Sequence, residues 1–369
     1  MANFSKGTGY SKSDLKGTGS PIILYGRLYT KYETIIRNVD SFVVPKSGSV
    51  FSKGGEVIVP GSGETAEDIS IASVVEPAGV LLGGDLNIIY PNSDLDPTFL
   101  AITISNGKPH FDMARRAQGK SIVHLHNADL KHISLKTPNL SEQKRISKIF
   151  EVLDQTITLH EEKKRQLERL KSALLQKMFA DKSGYPDIRF EDFSGEWEQR
   201  KVKDIFKITR GQVLAATETS EEKSDISPFP VYSSQTKNNG LMGYYKDYLF
   251  DTAITWTTDG ANAGTVSYRS GRFYSTNVNG VLISDKGYAN KAIAEILNLE
   301  AWKWVSHVGN PKLMNNVMGD ISIMIPSSFE EQDRLSDFLN QLDHAITLQN
   351  YKIELVKKLK SFLLQNMFI

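Results

Sequence analysis

The chain has 369 residues, more than one ordinary domain needs, and 40% of them are apolar, which is enough for two cores. Its 44 basic and 43 acidic residues leave a net charge of +1, so bulk charge does not indicate a nucleic-acid partner and any polyanion site must be local. The absence of cysteine excludes disulfides and thiolate metal sites, and the most apolar stretch, GVLLGGDLNIIY, is too short to span a bilayer. We expect a cytoplasmic protein without a membrane segment.

Residues 1–137 have the pattern of a β-rich module. SFVVPKSGSVFSKGGEVIVPGSGE and AGVLLGGDLNIIYP contain short Val and Ile runs that are interrupted by Gly and Pro. This pattern predicts a mixed sheet with long loops.

Residues 138–180 are predicted to form the first long helix. No proline or glycine interrupts the helical pattern, Ser141 is the expected cap, and Glu142 follows at the positive end of the helix. Such a helix would be roughly 55 Å long, more than one domain core requires. Its apolar stripe recurs in steps of three and four, and the positions expected to pair or to contact partners are Ile146, Leu153, Ile157, Leu167, Leu170 and Leu174.

Residues 181–206 are predicted to be a docked connector. Gly184 and Pro186 end the helix, and apolar anchors follow at Ile188, Phe190, Phe193 and Trp197.

A second β-rich module is predicted over residues 207–326 and a second long helix over 327–369. The second helix repeats the first at a constant offset of 189, and Ser328 to Glu331 has the pattern of a capping box. The equivalent stripe positions are Leu335, Leu342, Ile346, Val356, Leu359 and Leu363.

We therefore predict a multidomain α/β protein in which two long helices separate two β-rich modules. Antiparallel pairing of the helices into a coiled coil would bury both stripes about a pseudo-two-fold axis. In the alternative, each helix packs only on its own module.

Several segments resemble the specificity subunits of type I restriction-modification enzymes. They are YPDIRFEDFSGEWEQRKV, the Glu-Gln opening of both helices, and the LLQ-x-MF helix endings. The resemblance implies two target recognition domains that each read one half of a split duplex DNA target, and helices that dock two methyltransferase subunits. It also implies restriction subunits as partners, and S-adenosylmethionine, ATP and Mg²⁺ on those other chains. The first module begins almost directly at ANFSKG, so we expect a truncated start that lacks the family's preceding segment.

The chain lacks the signatures of catalysis. It contains no Asn-Pro-Pro-aromatic or Asp-Pro-Pro-aromatic tetrapeptide and no Walker loop, and a metal pair at His124 and His126 would lack a third ligand nearby. We expect no catalytic residue, metal or cofactor in this chain. Two alternatives stay open: the DNA-recognition part of another restriction or methyltransferase enzyme, and a coiled-coil scaffold.

DNA-contact candidates are cationic, amide, hydroxyl or aromatic residues in loops, because these groups read base edges or bind phosphates. In the first module they are Lys6, Tyr25, Arg27, Tyr29, Lys31, Ser62, Arg115, Lys120 and His124. In the second module they are Arg210, Gln235, Lys237, Asn238, Asn239, Trp256, Thr258, Asn262, Arg269, Lys312 and Asn315. Core packing is the alternative for Trp256, and pairing with Asp112 is the alternative for Arg115.

Overall fold

A computed structural model of the chain describes residues 1–119, 121–181, 183–234 and 237–368, with only the backbone of residue 237. The chain divides into two compact units, of which unit 1 comprises Met1–Glu161 and Tyr351–Ile369, and unit 2 comprises Glu162–Asn350. Each long helix thus contributes one portion to each unit. Within the described residues, no helix combines the length and apolar character that crossing a bilayer requires.

Unit 1 begins with short strands and ends in a helical layer. In chain order its elements are β1 Ala2–Lys6, β2 Ser20–Ile23, α1 Arg27–Thr30, β3 Ile35–Ile36, β4 Phe42–Val43, β5 Glu56–Pro60, β6 Ser62–Gly63, β7 Ser73–Val75, β8 Leu81–Leu82, β9 Leu86–Pro91, α2 Pro97–Asn106, α3 Lys108–Arg116, β10 Val123–His124, α4 Asn127–Leu130 and the first portion of α5 Leu140–Met178, followed by the last portion of α9, the second long helix. A five-stranded sheet has the order β1-β9-β5-β7-β3, a three-stranded sheet has the order β4-β2-β8, and β10 pairs with β6. Helix α2 covers the larger sheet, where Val57, Ile89 and Phe99 share a core.

Unit 2 contains a larger and more regular sheet. Its elements are the last portion of α5, then β11 Glu198–Lys201, α6 Val202–Ile205, β12 Lys207–Arg210, β13 Phe229–Tyr232, β14 Leu241–Tyr245, β15 Phe250–Thr257, β16 Val266–Ser275, β17 Asn279–Ile283, α7 Lys291–Ala301, α8 Asn315–Asp320, β18 Ser322–Ile325 and the first portion of α9 Phe329–Met367. The six-stranded sheet has the order β12-β17-β15-β16-β13-β14, and β11 pairs with β18. Parallel and antiparallel pairs coexist in both units, so the prediction of two β-rich modules with mixed sheets is confirmed.

The two units have the same strand order and pairing around their first sheet strand. The order β1-β9-β5 in unit 1 corresponds to β12-β17-β15 in unit 2, with antiparallel pairing throughout. Gly7 and Gly211 follow the equivalent strands, and a Cβ atom there would lie 1.9 Å from the Gly83 carbonyl oxygen and 2.2 Å from the Thr276 carbonyl oxygen. This close backbone approach explains why FSKG and ITRG share their glycine.

The long helices share a heptad stripe of positions that are at least half-buried. In α5 the stripe follows steps of four and three at 153, 157, 160, 164, 167, 171 and 174, and it recurs 189 residues later in α9. Leu170 and Leu359 occupy equivalent positions and are 48% and 47% exposed. Lys171 and Lys360 occupy the heptad positions, and the two leucines lie one residue, about 100°, away from them. Of the two roles predicted for these leucines, contact with partners therefore remains, and helix pairing does not. The other ten predicted stripe residues are buried or half-buried.

Within each unit, portions of α5 and α9 run antiparallel and are joined by an equivalent ion pair. In unit 1, Lys360 Nζ contacts Asp154 Oδ1, and Lys357 Nζ lies 2.9 Å from Glu161 Oε1. In unit 2, Lys171 Nζ lies 2.7 Å from Asp343 Oδ1. The offset of 189 converts Asp154 into Asp343 and Lys171 into Lys360, so the helix repeat brings its own partners together twice.

The starts of the two helices differ from the expected caps. Asn139 Oδ1, rather than Ser141, accepts the Glu142 N–H at 3.0 Å. Ser328 Oγ accepts the Glu331 N–H at 3.2 Å, which is one half of the predicted capping box. The Glu331 carboxylate binds Arg189 and the Trp197 indole N–H.

A buried glutamine joins each long helix to its module. In unit 2, Gln332 Nε2 donates to the Pro326 carbonyl oxygen at 3.0 Å, and its Oε1 accepts from Asn290 Nδ2 at 3.0 Å. Asn290 caps α7 by accepting the Ile293 N–H, and it also accepts from Ser336 Oγ. We call Gln332, Asn290 and Ser336 the clamp of unit 2.

Unit 1 contains the same arrangement. Gln143 Nε2 donates to the Pro138 carbonyl oxygen at 2.9 Å, and its Oε1 accepts the Asp96 N–H at 2.9 Å. Asp96 caps α2 through the Phe99 N–H and accepts from Ser147 Oγ. The clamp of unit 1 is therefore Gln143, Asp96 and Ser147, and it explains why the helix repeat retains its Gln and Ser.

Candidate DNA interface

A cleft of unit 1 brings several of the predicted contact residues together. The Tyr29 hydroxyl donates to the Ser62 carbonyl oxygen at 2.6 Å, and the Tyr25 ring packs edge-on against Tyr29 with centroids 6.2 Å apart. Ser62 Oγ lies 2.9 Å from His124 Nδ1. Burial raises the pKa of Tyr29, so its hydroxyl stays a donor at neutral pH. The cleft has a volume of about 1100 Å³, which is large enough for a nucleotide-sized group.

Strand pairing explains how these distant residues meet. β6 and β10 pair so that Ser62 faces His124, which joins the PGSGE and KSIVH loops. The exposed His124 ring stacks parallel to His126 with centroids 6.4 Å apart. Within the described residues, no group of three or more His, Cys, Asp or Glu side chains could hold a metal ion.

The sequence suggests that Arg27 and Lys31 are free cations, but both form ion pairs in the structure. The Arg27 side chain is 9% exposed and contacts Glu33 at 2.6 Å and Asp40 at 2.9 Å. Lys31 Nζ lies 3.1 Å from Asp40, and this hydrogen bond lowers the Asp40 pKa. Because two carboxylates neutralise Arg27, we remove it from the proposed contacts, whereas the half-exposed Lys31 is retained.

The remaining cations of the first module lie apart from this cleft or outside the described residues. Lys6 is exposed at the end of β1. The Arg115 side chain, at the end of α3, is 81% exposed and lies 3.9 Å from Asp112. This exposed pair leaves Arg115 free to contact a polyanion. Lys120 lies outside the described residues.

In unit 2 the equivalent strand ends also meet. Arg210 Nε donates to the Asn277 carbonyl oxygen at 2.6 Å, and its Nη2 donates to Thr258 Oγ1 at 3.1 Å. The Thr258 carbonyl oxygen accepts the Leu313 N–H at 2.8 Å, so the WTTDG and NPKLMN loops lie side by side. The neighbouring Lys312 is exposed.

A polar pocket of about 90 Å³ surrounds Arg269. Its guanidinium lies 3.8 Å from the centre of the Tyr232 ring and donates to the Asn239 carbonyl oxygen at 2.8 Å and to Thr255 Oγ1 at 3.2 Å. Burial lowers the Arg269 pKa to about 10, and no carboxylate in the described part of the chain pairs with it. A buried cation without a counter-charge favours an incoming oxygen acceptor, such as a phosphate or a guanine edge.

The amide loop beside this pocket has an unusual backbone. Asn238 and Asn239 have φ values of 50° and 54°, the left-handed region that asparagine tolerates better than most residues. Asn262 Nδ2 donates to the Ser234 carbonyl oxygen at 3.1 Å, and both residues line the same pocket. Gln235 and the side chain of Lys237 lie outside the described residues.

Two DNA-contact candidates of the second module, Trp256 and Asn315, are buried or half-buried. Trp256 is 1% exposed, and its Nε1 donates to the Leu313 carbonyl oxygen at 3.0 Å. It is a core residue, so the alternative given for it is correct and we remove it from the proposed contacts. Asn315 is half-buried at the first residue of α8.

Sequence reasoning missed three residues that shape the candidate interface. Tyr232 supports the Arg269 guanidinium, Ser233 lines the same pocket, and the Asn277 carbonyl oxygen positions Arg210. The amide-rich turn STNVNG was a usable signal for Asn277. Tyr232 could not be found in this way, because its partner lies 37 residues away on a strand whose register no local pattern reveals.

Comparison with known proteins places this geometry in a family. Residues 1–169 and 194–358 match the type I restriction modification DNA specificity domain. A Mycoplasma pneumoniae protein described as a type I specificity subunit is 33% identical over 213 residues, which cover 57% of this chain and 81% of that protein. The specificity subunit of the Mycoplasma pneumoniae type I restriction enzyme MpnII is 35% identical over 181 residues, which cover 48% of this chain and 51% of that protein.

A solved structure shows a similar fold. The crystal structure of the type I restriction-modification system S subunit from M. genitalium has a TM-score of 0.70 and 16% identity, over 100% of this chain and 94% of that chain. The family's DNA specificity domain matches the chain twice, and its two matched regions cover most of both modules and both long helices. The chain therefore belongs to the family of type I restriction-modification specificity subunits, as the connector and the helix endings predicted.

Proposed function

We propose that each module reads one half of a bipartite duplex DNA target, and that the long helices dock two methyltransferase subunits. The observation that carries this proposal is the repeated meeting of distant loops in both modules. Ser62 with His124 in unit 1, and Thr258 with Arg210 in unit 2, bring hydroxyl, imidazole and guanidinium groups together beside strand ends. These groups suit base edges and phosphates.

Divergence between the modules supports two different half-sites. Unit 1 offers aromatic and imidazole groups around Tyr29, whereas unit 2 offers a buried guanidinium at Arg269 and an amide loop. Different donor and acceptor patterns select different base pairs in the major groove. One chain with two different readers would therefore bind an asymmetric target.

The helices support partner docking because they leave apolar residues exposed at equivalent positions. Leu159 and Leu348 are 65% and 40% exposed, and Leu170 and Leu359 are 48% and 47% exposed. Exposed apolar side chains on a solvated helix are typical of protein interfaces. Their occurrence in both copies of the repeat suits two identical methyltransferase subunits.

In this proposal the chemistry belongs to other chains. The methyltransferase subunits would bind S-adenosylmethionine, and the restriction subunits would use ATP and Mg²⁺ for cleavage. The present chain would supply target choice in the cytoplasm.

Methylome sequencing tests the function. Cells that express this chain with its methyltransferase should carry methylated adenine in a split motif, and exchange of residues 207–326 for another module should change one half only. A change in both halves would refute independent reading. Absence of any chain-dependent motif would favour a scaffold.

Binding measurements test the individual contacts. Replacement of His124 or Arg210 by Ala should weaken binding of the methyltransferase complex to its target by about 1–3 kcal/mol if the side chain reads a base. Loss of a phosphate contact should instead weaken all sequences equally and reduce the salt dependence. Unchanged affinity for both variants would remove these strand ends from the interface.

A further inference from the structure

The two faces of the unit 2 sheet differ in polarity around the centre of β15. Successive side chains of a strand point to opposite faces of the sheet, so residues two apart share a face. Ile254 and Trp256 pack in the apolar core of the unit. Thr255 and Thr257 lie on the other face, and both line the polar pocket around Arg269. The pocket is therefore formed on the second face of the sheet.

Strand register places Arg269 on this second face. Arg269 lies opposite Ala253, and Ser267 lies opposite Thr255, in the antiparallel pair of β15 and β16. Directly opposed residues of an antiparallel pair have their side chains on the same face. Arg269 and Thr255 are 5% and 2% exposed, so this polar face is almost closed to bulk solvent.

Unit 1 has apolar residues at the equivalent positions. The register shared by β1-β9-β5 and β12-β17-β15 aligns Ile58 with Thr255. The antiparallel pairing of the next strand then aligns Val75 with Arg269. Ile58 and Val75 are both 0% exposed and belong to one hydrophobic cluster. The same face is thus an apolar core in unit 1 and a buried polar site in unit 2.

This exchange places a cation where the other module has a hydrocarbon side chain. A buried cation lowers the stability of a fold unless acceptors or an anion compensate its charge. Arg269 donates to the Asn239 carbonyl oxygen and to Thr255 Oγ1, which uses two of the five guanidinium N–H groups. The described lining of the pocket contains no carboxylate, and the adjoining residues 235–237 are Gln, Thr and Lys. An anion from outside the chain would supply the missing counter-charge.

The pocket also presents hydroxyl groups that have no protein partner. The side chains of Thr257, Thr265 and Ser267 line it and form no hydrogen bond to another described residue. Each hydroxyl can donate to an oxygen of a bound anion. Asn239, which also lines the pocket, is exposed, so the pocket opens to solvent beside the amide loop.

The size of the pocket limits what can enter it. Its volume of about 90 Å³ exceeds the roughly 10–15 Å³ that one water molecule needs. It is well below the roughly 300–1,000 Å³ of sites that enclose drug-sized ligands. A phosphate group, with one phosphorus and four oxygens, suits this volume, whereas a nucleoside does not.

We propose that the pocket around Arg269 binds a single phosphate group. The guanidinium would supply the counter-charge, and the pocket hydroxyls would donate to the phosphate oxygens. Of the two acceptors considered above for Arg269, a phosphate and a guanine edge, the small volume and the uncompensated charge select the phosphate. Asn238 and Asn239, rather than Arg269, would then be the groups beside the pocket that can read base edges.

The phosphate has two possible sources, the DNA backbone and a free anion. Assignment to the DNA backbone rests on the proposed function, whereas the phosphate site itself does not. A backbone phosphate in this pocket would anchor unit 2 on the duplex without contributing to the choice of sequence.

Inorganic phosphate is the direct probe of the pocket, and the measurement needs no DNA. Isothermal titration calorimetry of the full chain with sodium phosphate, at constant ionic strength, should show saturable binding of one phosphate per chain. Sodium chloride should show no such binding. Phosphate should also raise the temperature of thermal unfolding, because it binds only the folded chain.

Variants of the pocket make the test specific. Arg269→Gln should abolish phosphate binding, and Arg269→Lys should retain part of it because the charge remains. Ser267→Ala should weaken binding about tenfold, since it removes one hydrogen bond to a charged group without changing the buried cation. Ser270→Ala, at an exposed serine of the same strand, is the matched control and should leave the affinity unchanged.

Competition with duplex DNA distinguishes the two sources. For a backbone phosphate, any duplex should displace inorganic phosphate, and Ser267→Ala should weaken binding of the methyltransferase complex to all duplexes equally. For a free anion, the duplex should leave phosphate binding unchanged, and both results support the phosphate site. Lack of saturable phosphate binding, or equal affinity of the wild type, Ser267→Ala and Arg269→Gln, would overturn the proposal. So would a changed methylated motif in Arg269→Lys, because a base edge would then be the ligand.

Discussion

The clamp of unit 2 allows a quantitative prediction for Gln332→Ala. The substitution removes two buried hydrogen bonds and leaves the Pro326 carbonyl and one Asn290 N–H without their partner. Each bond contributes about 0.5–1.5 kcal/mol, and each unpaired buried group adds a desolvation cost, so we expect a loss of about 2–4 kcal/mol. Because Asn290 caps α7, the loss should be concentrated in that helix.

Hydrogen exchange measured by mass spectrometry can locate this effect. Amides of α7 should exchange about 30- to 1,000-fold faster in Gln332→Ala, since 1.4 kcal/mol corresponds to a factor of ten. Amides of α2, in the other unit, should not change. Gln341→Ala is the control. Gln341 is exposed on α9, the helix that carries Gln332, so its replacement should not change hydrogen exchange in α7. Unchanged α7 protection, or equal loss in α2 and α7, would refute the role of the clamp.

Two further predictions concern the backbone and pH. Gly211→Ala should lower unfolding stability by about 1–3 kcal/mol, because the new Cβ would lie 2.2 Å from a carbonyl oxygen, whereas Gly26→Ala, which meets no atom within 4 Å, should be tolerated. Burial would raise the Asp343 pKa, but hydrogen bonds from Lys171 and Lys291 outweigh burial and lower it below 3.8. The stability from this carboxylate is therefore present above pH about 4 and lost as the pH falls through the folded pKa, so acid titration should affect Asp343→Asn less than the wild type.

The long helices could be predicted because their signal is local and repeated. Neither copy contains glycine or proline, and the steps of three and four recur throughout each. The exact stripe was harder to assign, because Lys164 and Lys171 occupy heptad positions that apolar counting skips. Lysine can line such a stripe when its stem is buried and its ammonium group meets a carboxylate, as it does at Asp343.

The sequence predicted which residue types form the candidate site, but not which of those residues contact one another. Tyr29, Ser62 and His124 were selected for their chemistry, and strand pairing between β6 and β10 then brings them together. The ion pairs of Arg27 depend on Glu33 and Asp40, whose positions follow from a turn without a sequence signature. Whether a cation is free or paired with a carboxylate therefore depends on long-range register. No local pattern in a single sequence reveals that register.

The repeated clamps have a consequence for recombination between genes. Asp96 and Asn290 differ in chemistry, yet each caps its own module helix and accepts from the serine of the adjoining long helix. A crossover within the DNA that encodes the helix repeat would therefore join a foreign module to a helix that already carries the matching Gln and Ser. Such a chimera would inherit a complete junction without any compensating mutation. The helix repeat would thus let a new module be joined to the long helix at little risk to folding.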